Sequence, residues 1–283
     1  MNLKFNLRDD LIARFAWGKV MSQPSFDHLN PGGQKHAGQK LVTEGDPTLL
    51  PYIAEQVDIG IEWYPSEDAF FSVHAFAMEV ESFIIEKSRY EDWIEPNGST
   101  LFDPESGGNL RLLYSGPVNG DGATIAGMEF SANYSFTSLP EPLDGFGVQL
   151  NHTWITTDGE FANPSSGAKF GVPGLSEGTT NLVAFYEKGR ISGRIAWNKR
   201  SEFLVGVEST VGQSPEFTMP YWQIDAGFSF DITDNLKFVF EGINLTDNNV
   251  DLFVRVGPTS RMPQLFLASN SGRRWQTGIR YRL

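Results

Sequence analysis

Residues 221–247 read YWQIDAGFSFDITDNLKFVFEGINLTD. Trp222, Ile224, Ala226, Phe228, Phe230 and Ile232 alternate with Gln223, Asp225, Gly227, Ser229 and Asp231. After a short DITDN, the pattern resumes with Leu236, Phe238 and Phe240 against Asn235, Lys237 and Glu241. A period of two places successive side chains on opposite faces of a β-strand, whereas a helix needs apolar residues three and four apart. Two solvents suit such a hairpin. A soluble antiparallel sheet turns its apolar face to a core and its polar face to water. A membrane barrel turns the apolar face to lipid and the polar face to a wet lumen.

The alternation recurs along the whole chain. LIARFAWGKV puts Leu11, Ala13, Phe15 and Trp17 on one face, and VDIGIEWY sets Val57, Ile59, Ile61 and Trp63 against Asp58, Gly60 and Glu62. AFFSVHAFAMEV, ATIAGMEFSANYSF and FGVQLNHTWI follow, then NLVAFYEKGRISGRIAWNK with a turn expected at Lys188-Gly189. The last segment, RWQTGIRYRL, sets Trp275, Ile279, Tyr281 and Leu283 against Arg274, Gln276, Arg280 and Arg282. With a short first strand in LKFNL, the count is about eleven strands. Glu62, Glu129, Arg190, Arg194, Asp225, Asp231, Arg274, Arg280 and Arg282 fall on the polar face. Trp63, Tyr64, Trp197, Trp222 and Tyr281, near strand ends, suit the aromatic girdles of a membrane interface, although a sandwich core could also take them.

The connections separate the two solvents. Those at 8–10, 65–68, 188–189 and 231–235 are short, and that at 138–145 is intermediate. Those at 21–51, 87–122, 157–179, 199–220 and 245–271 are long, and the two kinds alternate. In an up-and-down meander, alternation puts every short turn at one end and every long loop at the other. Outer-membrane barrels have this layout, and several long unstructured loops are foreign to a compact soluble domain. The expected fold is therefore all-β: an antiparallel up-and-down transmembrane β-barrel sheet.

Composition agrees. The 283 residues carry 22 basic and 35 acidic side chains, for a net charge of −13, which argues against a nucleic-acid partner. No cysteine is present, so disulfides and thiolate metal sites are excluded. His28, His36, His74 and His152 are scattered without metal-ligand spacing, and no EF-hand spacing appears. No run of ~18 apolar residues offers a membrane helix, and MNLKFNLRDDLIARFAW lacks the apolar core of a signal peptide.

Several stretches resemble TonB-dependent outer-membrane receptors. EGDPTLLPYIAEQVDIGIEWYPSED is similar to the family's G-N-P-x-L-x-P…D-x-x-x-E-x-Y segment, with Asp46 in place of Asn. SQPSFDHLNPG resembles the preceding R-P-x-F-x-x-L, with Gln23 in place of Arg. GPVNGDGATIAGMEF, LPEPLDGFGV and SEGTTNLVAFYEKGRISGR resemble further family segments, and DITDNLKFVFEGINLTD its I-T-x-N-L…E-x-x-N-L-T-D hairpin. The final QTGIRYRL is similar to the C-terminal barrel-assembly signal, with Gln276, Gly278, Tyr281 and Leu283 in its positions and Leu where Phe is usual. The order is that of the family from residue 10 to 283.

The resemblance implies a piece of a larger machine. Such a receptor has a signal peptide, a TonB box and a plug before a barrel of ~22 strands. Residues 1–283 correspond to the C-terminal half of that barrel, with none of the other parts among them. A fragment of a longer receptor is the expectation. It also implies an outer-membrane location for the full-length parent, contact with the lipid bilayer and the barrel-assembly machinery, and TonB acting through the plug of that parent. The ligand is a small nutrient, and the style of the sequence resembles a subgroup linked to the uptake of carbohydrates and other nutrients. No cofactor is implied. Loop aromatics that could stack on apolar or sugar faces, with one acidic acceptor, are the candidate ligand residues: Tyr90, Trp93, Phe102, Asp103, Phe161, Phe253 and Phe266. For each, packing within the loops competes with ligand contact. Two rivals stand beside this reading. One is a passive porin-type channel. The other is a soluble β-sandwich glycosidase, with Glu79 and Glu81 as a carboxylate pair, which needs a ~5–10 Å separation in a cleft.

Overall fold

The computed structural model describes every residue except 37–39, 96, 163–168, 207–214, 255–263 and 283, and no side chain at 35, 36, 161, 162 or 170. Eleven strands form one sheet: β1 (Asn2–Arg8), β2 (Leu11–Ser22), β3 (Tyr52–Ser66), β4 (Ala69–Val80), β5 (Ala123–Ser135), β6 (Phe146–Thr157), β7 (Gly178–Lys188), β8 (Ile191–Arg200), β9 (Tyr221–Thr233), β10 (Leu236–Ile243) and β11 (Arg274–Tyr281). Each pairs antiparallel with its neighbours in sequence, so the spatial order is the chain order. This is the expected meander with the expected strand number.

The register keeps the two faces apart. Ile59 lies opposite Phe15 and Ala75, Ile61 opposite Ala13 and Val73, and Trp63 opposite Leu11 and Phe71. On the other face Glu62 lies opposite Ser72, Glu129 opposite His74, and Gln223 opposite Asn198. A one-residue slip would exchange the faces, and none occurs through the body of the sheet. The apolar face carries aromatics at both ends. Trp17, Trp154, Trp222 and Trp275 lie toward the loops, and Trp63, Phe146, Phe230 and Tyr281 toward the turns. Phe146 to Trp154, and Trp222 to Phe230, are eight positions apart. That is about 26 Å along a strand, and about 20 Å along a barrel axis at a tilt of ~40°. The spacing is close to the height of a membrane barrel's apolar band. Tyr64 departs from its expected girdle position. It follows Trp63 in the alternation, so it lies on the polar face and donates its hydroxyl to Glu62.

The turns are 9–10, 67–68, 136–145, 189–190 and 234–235, and the loops are 23–51, 81–122, 158–177, 201–220 and 244–273. Lys188 pairs with Ile191, so the hairpin closes at Gly189-Arg190, one residue later than the sequence suggested. Gly189, at φ +58°, supplies the left-handed backbone that this tight turn requires.

The loops are built, contrary to the expectation of unstructured connections. Gln34–His36 and Leu41–Thr43 of the first loop join Arg111–Asn119 and Ile84–Asp92 of the second in a four-stranded sheet. Phe203–Gly206 and Glu216–Thr218 of the fourth loop join Val250–Val254 and Gln264–Ser269 of the fifth in another. The sequence hid this pairing because its partners are far apart in the chain, and each strand is short.

Candidate functional site: the polar wall and the loop lobes

The polar face of the sheet is concave. Asn133, Gln149, Phe185, Arg194, Ser229 and Glu241, from β5 to β10, line a hollow of about 560 Å3. Near the turn end, Arg14 grips Glu62 through two hydrogen bonds of 2.6 and 3.0 Å. Tyr64 donates to the same carboxylate at 3.0 Å, and His74 stands 3.9 Å from it. The bidentate geometry fixes both side chains, and the hydroxyl fills a further lone pair. The His74 ring lies over Gly60, where a methyl group would collide with it. The sequence placed Glu62 on this face but did not single out Arg14, although the alternation against Ala13 and Phe15 points to it. Toward the loop end of β9, Tyr221 donates to Gln223, which donates to Asp225 at 2.5 Å. Asp225 also accepts the backbone N–H of Asn244 at 2.8 Å. The Gln and Asp that opened the sequence question therefore form a polar rail along the concave wall, and Ser229 lines its hollow.

Asn244 roots the fifth loop. It is fully buried, with φ +55°. Its side-chain amide donates to the carbonyls of Asn248 and Gly272, and its carbonyl accepts the Asn248 N–H at 3.0 Å. One side chain thus ties both ends of the loop, which is the physical content of the N-L-T-D segment.

Three ties hold the first and second loops together. Arg89 bonds Glu44 at 2.6 Å and Glu91 at 2.7 Å. Lys40 bonds Asp103 at 3.0 Å and Glu105 at 2.8 Å. The Asn119 amide bonds both the N–H and the C=O of Leu50. These contacts set the local ionisation. The Glu91 and Glu44 carboxylates raise the Arg89 pKa, and Lys40 holds the Asp103 carboxyl below its ordinary value. A small core of Ala123, Val172 and Leu204, with Phe83, Ile85, Leu175 and Phe217 against it, joins the second, third and fourth loops.

The candidate ligand residues separate on this scaffold. Tyr90 and Phe102 are exposed, as are Ile94 and Leu101 beside them in sequence. The Arg111 guanidinium lies 5.8 Å from the Tyr90 ring centre. Trp93 is half-buried and donates its indole N–H to Glu95 at 2.8 Å. Asp103 is buried in the Lys40 ion pair, which puts it in loop packing rather than on the surface. Phe253 is buried and stacked on Phe217 at 5.5 Å, again inside the loop sheet. Phe266 sits on the outermost strand of that sheet, partly exposed. The Phe161 side chain lies outside the described residues, as does Leu283. Gln276 lies opposite Glu241, Gly278 opposite Val239, and Tyr281 opposite Leu236. Glu79 and Glu81 sit at the loop end of the wall, with Glu81 engaged by Lys19 at 2.8 Å. Among the described residues, no group of three His, Cys, Asp or Glu is placed to hold a metal ion.

Residues 1–245 match the family described as TonB dependent receptor-like, beta-barrel. Solved structures share the fold. The siderophore receptor PirA from Acinetobacter baumannii is 14% identical, with a TM-score of 0.63, 99% of this chain covered and 40% of that one. A mutant of the ferric enterobactin receptor PfeA from Pseudomonas aeruginosa is 16% identical, with a TM-score of 0.65, at 99% and 39% coverage. The copper transporter OprC is 15% identical, with a TM-score of 0.63, at 99% and 38%. The chain thus spans about two fifths of the length of the solved structures it matches. No curated protein sequence matches it.

Proposed function

Because this chain belongs to the TonB-dependent receptor β-barrel family, we propose that it supplies the C-terminal wall and the extracellular loops of an outer-membrane importer. The observation that carries this is the asymmetry of the meander: four two-residue turns and one ten-residue turn at one end, five long loops at the other, and a concave polar face between them. Barrels of this family are outer-membrane proteins. The turn end faces the periplasm and the loop end the medium, as in other outer-membrane barrels. A ligand captured by the loops passes along the polar wall when TonB acts on a plug held by the parent receptor.

Strand parity supports the parent. β1 and β11 are the first and last of eleven sequentially antiparallel strands, so they run in the same direction. Two copies placed side by side, loops together, would meet in parallel seams. A segment with an odd number of strands, beginning and ending in the opposite direction, closes both seams antiparallel. Unpaired backbone in lipid costs several kcal/mol per group, so both seams must be closed.

Tyr90, Ile94, Leu101 and Phe102 form the ligand-facing tip, an apolar surface suited to stacking on rings. The style of the sequence points to a carbohydrate or another small nutrient. The solved structures it resembles, a siderophore receptor, a ferric enterobactin receptor and a copper transporter, favour a second reading, a siderophore or a metal complex.

An immunoblot of outer membranes with an antibody to RWQTGIRYRL tests the parent. A heat-modifiable band well above 31.5 kDa is expected. A band at that mass in the membrane overturns the parent and leaves a free-standing sheet that must find its seams elsewhere. Uptake of labelled oligosaccharides and ferric siderophores by cells with and without the parent gene then selects the ligand. Liposome swelling without TonB would instead identify a passive channel.

A further inference from the structure

We propose that the hollow between the first and second loops is a binding site for an uncharged sugar ring. The hollow measures about 370 Å3, within the ~300–1,000 Å3 range of small-ligand clefts. Asn30, Gln34, Thr43, Glu86 and Ser115 line it. Its walls come from the segment around the short helix Phe26–Leu29 and from the four-stranded loop sheet. The two loops leave the meander between β2 and β3 and between β4 and β5, so no wall comes from an edge strand of the large sheet.

Backbone contacts fix those walls. Gly45 donates its N–H to the Asn30 carbonyl at 3.0 Å, and Asp46 donates to the His28 carbonyl at 2.7 Å. Glu44 donates to the Ser115 carbonyl at 3.0 Å. A methyl group at Gly45 would collide with the carbonyls of His28 and Asn30, and one at Gly116 with that of Glu44. The two glycines therefore let the helix segment seat directly on the loop sheet. The hollow is a preformed feature of that contact.

The lining decides the chemistry. Glu86, Ser88 and Tyr90 share one face of Ile84–Asp92, across from Pro117, Ser115 and Leu113. Thr43 extends the Ser115 row, and Gln34 extends it again. The exposed Tyr90 ring thus stands one row, roughly 7 Å, from a row of hydroxyls and an amide. Within that row Ser88 donates to the Ser115 hydroxyl at 3.2 Å. A sugar ring matches both surfaces. Its C–H face stacks on an aromatic ring, and its hydroxyls donate and accept as Ser, Thr, Asn and Gln side chains do. An anion matches neither. Asp27, Glu44 and Glu86 stand at the hollow, and among the described residues no Lys or Arg lines it. Arg111, beside the Tyr90 ring, is engaged by Asp92 at 3.5 Å and by the Tyr90 carbonyl at 3.1 Å. The inference rests on the importer reading above and chooses between its two ligand classes.

The test is titration calorimetry on the parent receptor extracted from the outer membrane in detergent. The probes are maltohexaose, cellohexaose, laminarihexaose and xylohexaose, with hexagalacturonate and ferric enterobactin as anions. At least one neutral hexasaccharide is expected to bind, and both anions at least tenfold more weakly. Gln34→Leu with Thr43→Val keeps the side-chain shapes and removes two bonding groups, so sugar affinity is expected to fall roughly tenfold. Tyr90→Phe is expected to leave it unchanged, and Tyr90→Ala to lower it roughly fivefold. Every variant is expected to keep the heat-modifiable band. Gln34→Leu alone gives the same comparison, with a smaller loss, if the double variant fails to assemble. Binding of ferric enterobactin with none of the four sugars keeps the importer reading and overturns this one. Binding of neither class, or sugar affinity unchanged by Tyr90→Ala and by the bonding-group variants, also overturns it. A parent without the heat-modifiable band marks failure of the barrel reading, and the sugar site falls with it.

Discussion

In the eleven-stranded wall, Ile59, Ile61, Val73, Met128, Ile195 and Ile279 are between 43% and 69% exposed, whereas in the loop lobes Val42, Leu204, Phe253 and Val254 are between 3% and 4% exposed. The two regions share a chain and a secondary structure, yet place their apolar atoms oppositely. The loops obey water: they bury Phe253 on Phe217 and close small cores with ion pairs outside. The wall obeys lipid on one face and gathers its charge chemistry, such as Arg14 with Glu62, on the other. The difference is what a wall with one face toward lipid and lobes that stand in water require.

The sharpest way to break this comparison is a charge on each face of one strand. Ile195 lies opposite Ala184 and Ala226 on the apolar face, and Ala196 lies opposite Val183 and Asp225 on the polar face. Ile195→Arg is expected to destabilise the membrane-inserted barrel by about 2–4 kcal/mol, and Ala196→Arg by much less. Urea titration of the refolding parent in lipid vesicles reads both. Equal effects would mean that the apolar face does not meet lipid.

The wall was legible in the sequence because its period is local. Two residues of alternation, repeated in Trp222–Ile232 or Val57–Trp63, suffice to assign a face, and hairpins with tight turns make neighbours of consecutive strands. The lobes were not legible, because Leu41 pairs with Leu113 and Glu216 with Val254 across most of a loop or more. Three-residue strands carry too little pattern to announce such partners. The same reason hid the packing of two candidate residues. Phe253 and Asp103 read as loop-surface groups in sequence, and only the distant partners Phe217 and Lys40 bury them. Tyr64 failed differently: aromatic character suggested the girdle, but the strand's own alternation had already assigned it to the lumen.

A smaller effect is expected where wall and loop meet. Asn244→Ala leaves the Asn248 N–H and the Gly272 carbonyl without their buried partner, at about 1–3 kcal/mol. It also keeps a left-handed backbone that alanine adopts poorly. Asn244→Gly relieves the backbone but not the lost bonds, so its midpoint should fall between those of the parent and of Asn244→Ala. If both variants match the parent, Asn244 is not the root of the fifth loop. Faster hydrogen exchange at Asn248, with β9 and β10 still protected, would locate the loss in the loop.

Acid should separate the regions further. Lys40 holds the Asp103 carboxyl below the ordinary 3.8, and the Thr48 hydroxyl and N–H do the same for Asp46. A depressed folded-state pKa contributes stability that is complete above the ordinary value and is lost as pH falls through the depressed one. Lys40 is raised above 10.5 by Glu105 and Asp103, so its contribution is lost only as pH rises through that raised value. The first lobe is therefore expected to hold between these limits and to loosen below about pH 4. Protease cleavage within 81–122 should rise in acid while the sheet stays intact. Cleavage that is equal at neutral and acid pH would show that the ion pairs do not hold the lobe.

The smallest stability effect belongs to the ligand tip. Phe102 and Tyr90 are exposed and make no apolar core, so Tyr90→Ala with Phe102→Ala should change stability by no more than about 0.5 kcal/mol. Function should respond differently. If these rings stack on the ligand, their loss removes two aromatic contacts, and uptake by cells expressing the variant parent should need roughly tenfold more ligand for the same rate. Unchanged uptake with unchanged stability would assign the exposed aromatics to no role in capture and move the search to Trp93 and Phe266. Lost stability with lost uptake would instead place the tip in the lobe's packing, beside Phe253 and Asp103.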